Sequence, residues 1–208
     1  MVRADLAEVH AGTRDVYVTE VATWDTNRRR DLYERVWLDR WLEGVAPGAA
    51  LLDLGCGAGE PIAAHLIGRG CDVTGADYAP AMLARARARH PDARWVEADM
   101  RTLDLGRTFA GILGWDSFFH LSPDEQREAL PRIAGHLEPG GAMMLTVGPV
   151  ASERVGTGGG RSIYHASLSP EDYEESCRAL GFARFEIHLE ADAAAGRTVL
   201  LAQGWGGA

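Results

Sequence analysis

Cysteine is scarce in this sequence: 208 residues hold three, Cys56, Cys71 and Cys177. An odd number with no C-x-x-C pair argues against a disulfide framework and a paired-cysteine zinc site. No cluster of metal ligands stands out, so no metal is expected. Long apolar runs are missing, none approaching the ~20 residues of a membrane span. No signal-peptide pattern opens the chain. The expectation is a cytoplasmic protein with no membrane partner. Positive charge is in deficit, with 21 Lys+Arg against 30 Asp+Glu and a net charge of −9. Nucleic-acid binding needs a basic surface to neutralise phosphates, so no nucleic-acid partner is expected. The one local basic patch, Arg85, Arg87 and Arg89 on a helix, reads as a solvated face.

What is present is an ordinary globular composition, 46% hydrophobic and 25% charged, in a length that suits one domain. The most informative stretch is Leu51-Leu52-Asp53-Leu54-Gly55-Cys56-Gly57-Ala58-Gly59-Glu60. An apolar strand runs into a loop with glycine at every second position, and a helix-forming segment follows at once. Glycine admits positive φ and lets a ligand approach the backbone, while the helix offers free N–H groups. The spacing argues against a dinucleotide fingerprint G-x-G-x-x-G, and with it against a nicotinamide-dependent oxidoreductase: Glu60 or Ile62 stands where its third glycine belongs. Asp53, two residues before the first glycine, would repel a pyrophosphate and attract a cation. A ligand with an ammonium or sulfonium group suits the loop better than one with phosphates.

Residues 1–45 are helical in pattern, with Leu32, Val36, Trp37, Trp41 and Leu42 at helical spacing and expected to face a sheet. From residue 49 strands and helices alternate. Strands are expected near 49–54, 72–76, 94–97, 109–115 and 142–147, and helices near 61–69, 80–89, 123–137 and 170–180. Such alternation implies a mostly parallel sheet with helices on both faces. Two last strands, about 182–190 and 197–203, are joined too tightly for a helical crossover and form an antiparallel hairpin.

The D-x-G-x-G-x-G run after a strand resembles the first motif of the class I S-adenosylmethionine (SAM) dependent methyltransferases. Further segments follow in the family's order: a second strand ending at Asp77, a third ending at Asp99, a fourth reaching Asp116, and Leu137-Glu138-Pro139-Gly140-Gly141 before a fifth. The resemblance spans about residues 30–205. It implies a Rossmann-like three-layer α/β sandwich: a seven-stranded, mostly parallel sheet with an antiparallel C-terminal hairpin, the seventh strand between the fifth and sixth. Residues 1–208 would form one methyltransferase domain. Residues 1–45 would be an N-terminal helical cap, and 46–208 a SAM-binding core with a lid near 148–167. The Gly-rich stretch Gly156 to Gly160 is expected to give that lid hinge freedom.

The resemblance also implies site roles. Asp53 would face the methionine amino group, and Gly55, Gly57 and Gly59 would let the loop pass against the methionine portion. Asp77 would accept from both ribose hydroxyls. Tyr78 and Met82 would pack beside adenine, Asp99 would accept from its amino group, and the Met100 N–H would meet a ring nitrogen. Cys56 counts with this set as a small loop residue whose business is packing. Trp115 joins it from the fourth strand, and with Phe118, Phe119, Trp24 and Tyr33 suits a small, partly apolar methyl acceptor. His120 and His165 are the candidate catalytic bases, because histidine titrates near neutral pH; each has the alternative of a structural role.

After the fourth strand the chain reads Asp116-Ser117-Phe118-Phe119, without the Asn/Asp-Pro-Pro-aromatic pattern of methyltransferases of nucleic-acid amino groups and of glutamine. The expected function is methyl transfer from SAM to a small-molecule acceptor, leaving S-adenosylhomocysteine (SAH), by a monomer or homodimer. The alternatives are a non-catalytic SAM-binding protein and an aminopropyl transferase of the same fold. For the latter, Asp116 and Glu125 are a thin supply of acids to hold a polyamine.

Overall fold

The structure, a computed structural model, describes residues 5–207. Residues 1–4 of the expected cap and residue 208 of the expected core lie outside that range. Three helices come first: α1 (Leu6–Thr19), α2 (Val21–Asn27) and α3 (Arg35–Trp41). The alternating region follows as β1 (Ala50–Leu54), α4 (Ile62–Gly68), β2 (Asp72–Asp77), α5 (Pro80–Arg89), β3 (Arg94–Glu97), β4 (Phe109–Gly114), α6 (Pro123–Ala134) and β5 (Leu137–Val147). The chain ends with β6 (Ser152–Gly158), β7 (Arg161–Ser167), α7 (Pro170–Ala179), β8 (Phe182–Ala191) and β9 (Arg197–Trp205).

Seven strands form one sheet in the order β3-β2-β1-β4-β5-β9-β8. The first five are mutually parallel, and β9 runs antiparallel between β5 and β8. Neighbouring residues on the buried strands serve opposite layers, as the two-residue period requires. Leu51, Leu113, Met144 and Leu201 pack with α3, α4 and α5, whereas Leu52, Ile112, Met143 and Leu200 pack with α6 and α7. The result is the three-layer α/β sandwich, with both faces covered as a parallel sheet needs.

Three sequence expectations change. Val36 is 62% exposed, not sheet-facing, because α3 spans only two turns and Trp37, Leu38 and Trp41 occupy its inner side. The helix expected over 123–137 stops at Ala134 and β5 begins at Leu137, so the Glu138-Pro139-Gly140-Gly141 turn lies inside the strand beside a register shift against β4. The segment 148–167 contains a separate two-stranded antiparallel sheet, β6 with β7. Its glycines lie in a paired ladder and its turn, not in an irregular loop. Gly156 and Gly158 sit in the ladder where a Cβ would strike His165 (2.6 Å) and Trp24 (2.3 Å), and Gly159-Gly160 make the turn at positive φ. Glycine is there to admit two rings.

Candidate cofactor and methyl-acceptor site

A cavity of about 430 Å³ opens at the carboxyl ends of β1, β2 and β4, where the strand order reverses. Its lining includes Gly55, Cys56, Gly57, Asp77, Tyr78, Met82, Asp99, Met100, Trp115, His120 and His165 from the sequence-derived set. Asp53 and Gly59 stand behind that lining. The cap and β6–β7 close the other side through Tyr17, Trp24, Thr157 and Ile163.

The three loop glycines have three different reasons. Gly55, at φ +81°, lets Ser117 approach so closely that a Cβ would lie 2.3 Å from the Ser117 Cβ. Ser117 in turn donates its hydroxyl to the Leu54 carbonyl at 2.8 Å, tying the fourth-strand loop to the first. Gly59 faces Trp95, whose ring would stand 2.8 Å from a Cβ, so it serves packing beneath the loop rather than the cavity. Gly57 alone opens onto free space, at φ +53°. Its N–H donates to Asp77 Oδ2 at 2.9 Å, while Asp77 Oδ1 accepts from the Ala79 N–H at 2.8 Å. Asp77 thus clamps the glycine loop to the start of α5, and each oxygen keeps a lone pair for a ligand. Burial raises its pKa against the pull of these N–H groups.

Asp53 is buried beneath the loop. Burial pushes its carboxyl up to about 7, opposed by the Arg28 guanidinium and reinforced by Asp77 and Glu34. A cation arriving nearby would draw the proton off. Cys56 is buried, its thiol pushed up by burial and then by the Asp77 and Asp53 carboxylates, which fits packing and not redox chemistry.

At the other end of the cavity Tyr78 lies under Arg14 of α1, whose guanidinium carbon stands 5.1 Å from the ring centre. Asp99 forms ion pairs with Arg101 at 2.6 Å and Arg14 at 3.5 Å, and its Oδ1 accepts from the Arg101 N–H. Burial works to raise its pKa, but the Arg101 hydrogen bonds prevail and hold it below the usual range. The carboxylate expected to meet a ligand amino group is therefore already gripped by Arg101.

His120 is committed on both ring nitrogens: Nε2 lies 2.7 Å from the Tyr17 hydroxyl and Nδ1 2.8 Å from the Tyr164 carbonyl. The carbonyl can only accept, so Nδ1 carries the proton and Nε2 accepts from Tyr17. Burial depresses its pKa to about 4, and Tyr17 rises by burial and by the Asp116 and Asp77 carboxylates. Tyr17 stacks on Trp24 at 4.5 Å and 14°. His165 stands across β6–β7 from Arg154, with ring contacts to Phe119 at 5.1 Å and His120 at 5.0 Å. Burial first, and then the Arg154 charge, lowers its pKa. Both shifts favour the neutral imidazole.

The sequence reading left Arg28 and Arg197 of the cavity unassigned and gave Asp116 no partner. Asp116 takes φ +53° and forms a two-pronged ion pair with Arg197, Nε to Oδ1 at 2.7 Å and Nη2 to Oδ2 at 2.8 Å. Tyr33 donates to Asp116 at 3.4 Å and accepts from the Trp115 indole at 3.2 Å. Arg28 is held by the fully buried Glu34. No local pattern marks the Asp116–Arg197, Tyr33–Asp116 and Trp115–Tyr33 contacts, because the partners lie 81 to 83 positions apart; the β9 arginine could be noticed only as a charge opening an apolar strand. The Arg85–Arg87–Arg89 patch keeps a part-exposed face, yet its side chains are engaged: Arg85 and Arg89 bind Asp25 of α2, and Arg87 donates to the Trp95 carbonyl. Among the described residues, no group of three His, Cys, Asp or Glu side chains is placed to hold a metal, and no helix is long and apolar enough to cross a membrane.

Sheet order, cavity position and loop geometry together define the class I SAM-dependent methyltransferase architecture. Residues 51–141 match the family model described as "Methyltransferase domain". A dTDP-3-amino-3,6-dideoxy-alpha-D-glucopyranose N,N-dimethyltransferase of Streptomyces fradiae is 33% identical over 151 residues, 67% of this chain and 56% of that protein. A carboxy-S-adenosyl-L-methionine synthase of Enterobacter sp. is 33% identical over 112 residues, 49% of this chain and 45% of that protein. The chain thus spans about half the length of the curated relatives it matches. Among solved structures, the SAM-bound amino pentose methyltransferase CalS10 of Micromonospora echinaspora superposes with a TM-score of 0.68 at 24% identity, covering 90% of this chain and 96% of that one. The 1,6-didemethyltoxoflavin-N1-methyltransferase of Burkholderia thailandensis gives 0.70 at 22% identity, covering 99% and 92%. At these identities the likeness speaks for the fold.

Proposed function

We propose that this chain is a SAM-dependent methyltransferase acting on the nitrogen of a small-molecule amine, with amino sugars the first class to test. The observation that carries the reading is one cavity joining an open glycine loop and Asp77 to the His120–His165 pair. The amine class rests on the relatives, whose names include amino-sugar N,N-dimethyltransferases. In the same reading the protein works in the cytoplasm as a monomer or homodimer, without nucleic-acid or membrane partners. Residues 1–45 serve as a cap, and the β6–β7 hairpin serves as a lid near 148–167.

The residues present fit SAM. Gly57 leaves its approach open, Asp77 keeps lone pairs for two ribose hydroxyls, and Tyr78 and Met82 offer a flat apolar wall. Asp53 neutralises the ammonium by giving up its proton. Cys56, Met100 and Trp115 shape the remaining contacts, Asp99 meets adenine while keeping its grip on Arg101, and Gly55 and Gly59 hold the loop in place. SAM supplies an electrophilic methyl on sulfur. The protein's contribution is to hold the acceptor nitrogen in line, exclude water and receive a proton.

Tyr17, Trp24 and Phe119 exclude water. The amine must arrive as its free base to present a lone pair, and a buried site with neutral imidazoles and an already paired Asp116 favours that form. His165 takes the proton released after transfer. His120, with Nε2 filled by the Tyr17 hydroxyl, orients that hydroxyl towards the acceptor and serves as base only when Tyr17 moves. An acceptor screen reading SAH release tests this: amino sugars should release SAH and their hydroxyl analogues should not. Release with the hydroxyl analogues alone would overturn the nitrogen assignment. SAH binding with no release from any acceptor would favour a non-catalytic SAM-binding protein. Turnover with a polyamine and decarboxylated SAM would favour the aminopropyl transferase.

A further inference from the structure

Asp25 on α2 is 7% exposed, lies at the cavity lining, and is held by three arginines. Arg85 and Arg89 reach it from α5 at 2.7 Å each, and Arg30 follows α2 at 3.0 Å. Arg89 is forked: Nη1 and Nη2 bind the two carboxylate oxygens, and Nη1 also donates to the Ala58 carbonyl of the glycine loop at 3.1 Å. The same junction carries its own small core, in which Val21 and Trp24 of α2 meet Ala58 of the loop, Ala79 just before α5 and Met82 of α5. The cap therefore packs on the glycine loop itself.

From Asp25 the contacts continue to the acceptor side. The adjacent Trp24 stacks on Tyr17 and fills the space left by Gly158 on β6, and Tyr17 donates to His120. A path of direct contacts thus joins the glycine loop, Arg89, Asp25, Trp24, Tyr17 and His120. An aligned path is not in itself coupling; coupling needs an element with two arrangements that both ends bias. The α1–α2 cap is a suitable element, because α2 is a seven-residue helix that meets the glycine loop and α5 through ion pairs and a small core, and such junctions open at low cost.

We propose that Asp25 is a positioning residue that couples cofactor binding to assembly of the acceptor site: a ligand that orders the glycine loop fixes Ala58 and Arg89, Arg89 fixes Asp25, and the cap then delivers Trp24 and Tyr17. The cofactor binds first, and the acceptor meets a finished site only afterwards. This rests on the SAM reading above. Asp25 bears two more cationic partners than it can neutralise, so its loss leaves Arg30, Arg85 and Arg89 repelling one another across the cap–α5 junction.

Hydrogen exchange of the whole chain with SAH as the probe tests the coupling. In the native protein, saturating SAH should slow exchange in the glycine loop and also in residues 6–27. In Asp25→Asn at saturating SAH, loop protection should persist while protection of residues 6–27 falls at least tenfold, and Asp25→Glu should restore it. A merely structural loss would lower both segments together, with and without SAH. Should Asp25→Asn not fold, Arg89→Lys removes the fork but keeps the charge and should show the same split. Full protection of residues 6–27 in these variants would overturn the proposal, as would native protein in which SAH protects the loop alone. No protection by SAH anywhere in the native protein would instead refute the cofactor reading.

Discussion

Replacing Asp77 with asparagine separates two roles that the structure gives one side chain. The amide oxygen can still accept from the Ala79 N–H, but the NH₂ then faces the Gly57 N–H, donor against donor. One charge-assisted hydrogen bond is lost within the protein, and at least one of the two proposed ribose contacts weakens. A hydrogen bond to a charged group contributes about 1.5–3 kcal/mol, so SAH affinity should fall about 10- to 150-fold. Stability should change much less, because a neutral amide escapes the burial cost that raises the Asp77 pKa. A net loss near 1 kcal/mol lowers Tm by about 2–4 °C in a chain of this size. Calorimetric titration of SAH, beside thermal unfolding without ligand, reads both quantities. Unchanged SAH affinity in a folded Asp77→Asn protein would refute the ribose contact. Affinity and Tm falling in strict proportion would reduce Asp77 to a loop clamp.

Other predictions divide the site in the same way. Gly55→Ala should cost about 2–5 kcal/mol of stability without ligand, from positive φ and the Ser117 clash. Gly57→Val should fold yet lose its thermal shift with SAH, because its side chain enters open ligand space; a persisting shift would contradict the loop reading. Tyr17→Phe should lower kcat about tenfold or more, equivalent to about 1.4 kcal/mol, with SAH affinity kept; unchanged kcat would remove the hydroxyl from the acceptor side. His120 has a folded pKa near 4 against 6.5 unfolded, so the unfolded chain binds the extra proton. Its contribution is fully present above about pH 6.5 and lost as pH falls towards 4, at most about 3 kcal/mol. His120→Asn should flatten unfolding stability across that window, and an equally steep acid decline would refute it.

Much of the architecture was legible in the sequence because it rests on local signals. Apolar strands alternate with amphipathic helices, and short polar motifs lie at the strand ends where the ligand site forms. Asp77 is recognisable as an acid closing the second strand. Its dual hold on Gly57 and Ala79 depends on where the loop folds back, and no spacing states that. The separate reasons for Gly55 and Gly59 came from Ser117 and Trp95, distant in sequence. Nothing local marks Tyr17, because its partner His120 lies 103 positions away. The helix arginines looked solvated because their carboxylate comes from the cap. The lid's glycines suggested freedom, since composition alone cannot distinguish a hinge from a ladder that admits rings.

The most direct test of the account is methyl transfer itself. The protein is incubated with SAM carrying a deuterated methyl group and a panel of small amines, and the products are read by mass spectrometry. An amine should gain one labelled methyl per SAH formed, and Asp77→Asn should slow the gain at subsaturating SAM. Binding of SAM with no labelled product from any amine, or label found only on oxygen, would contradict it.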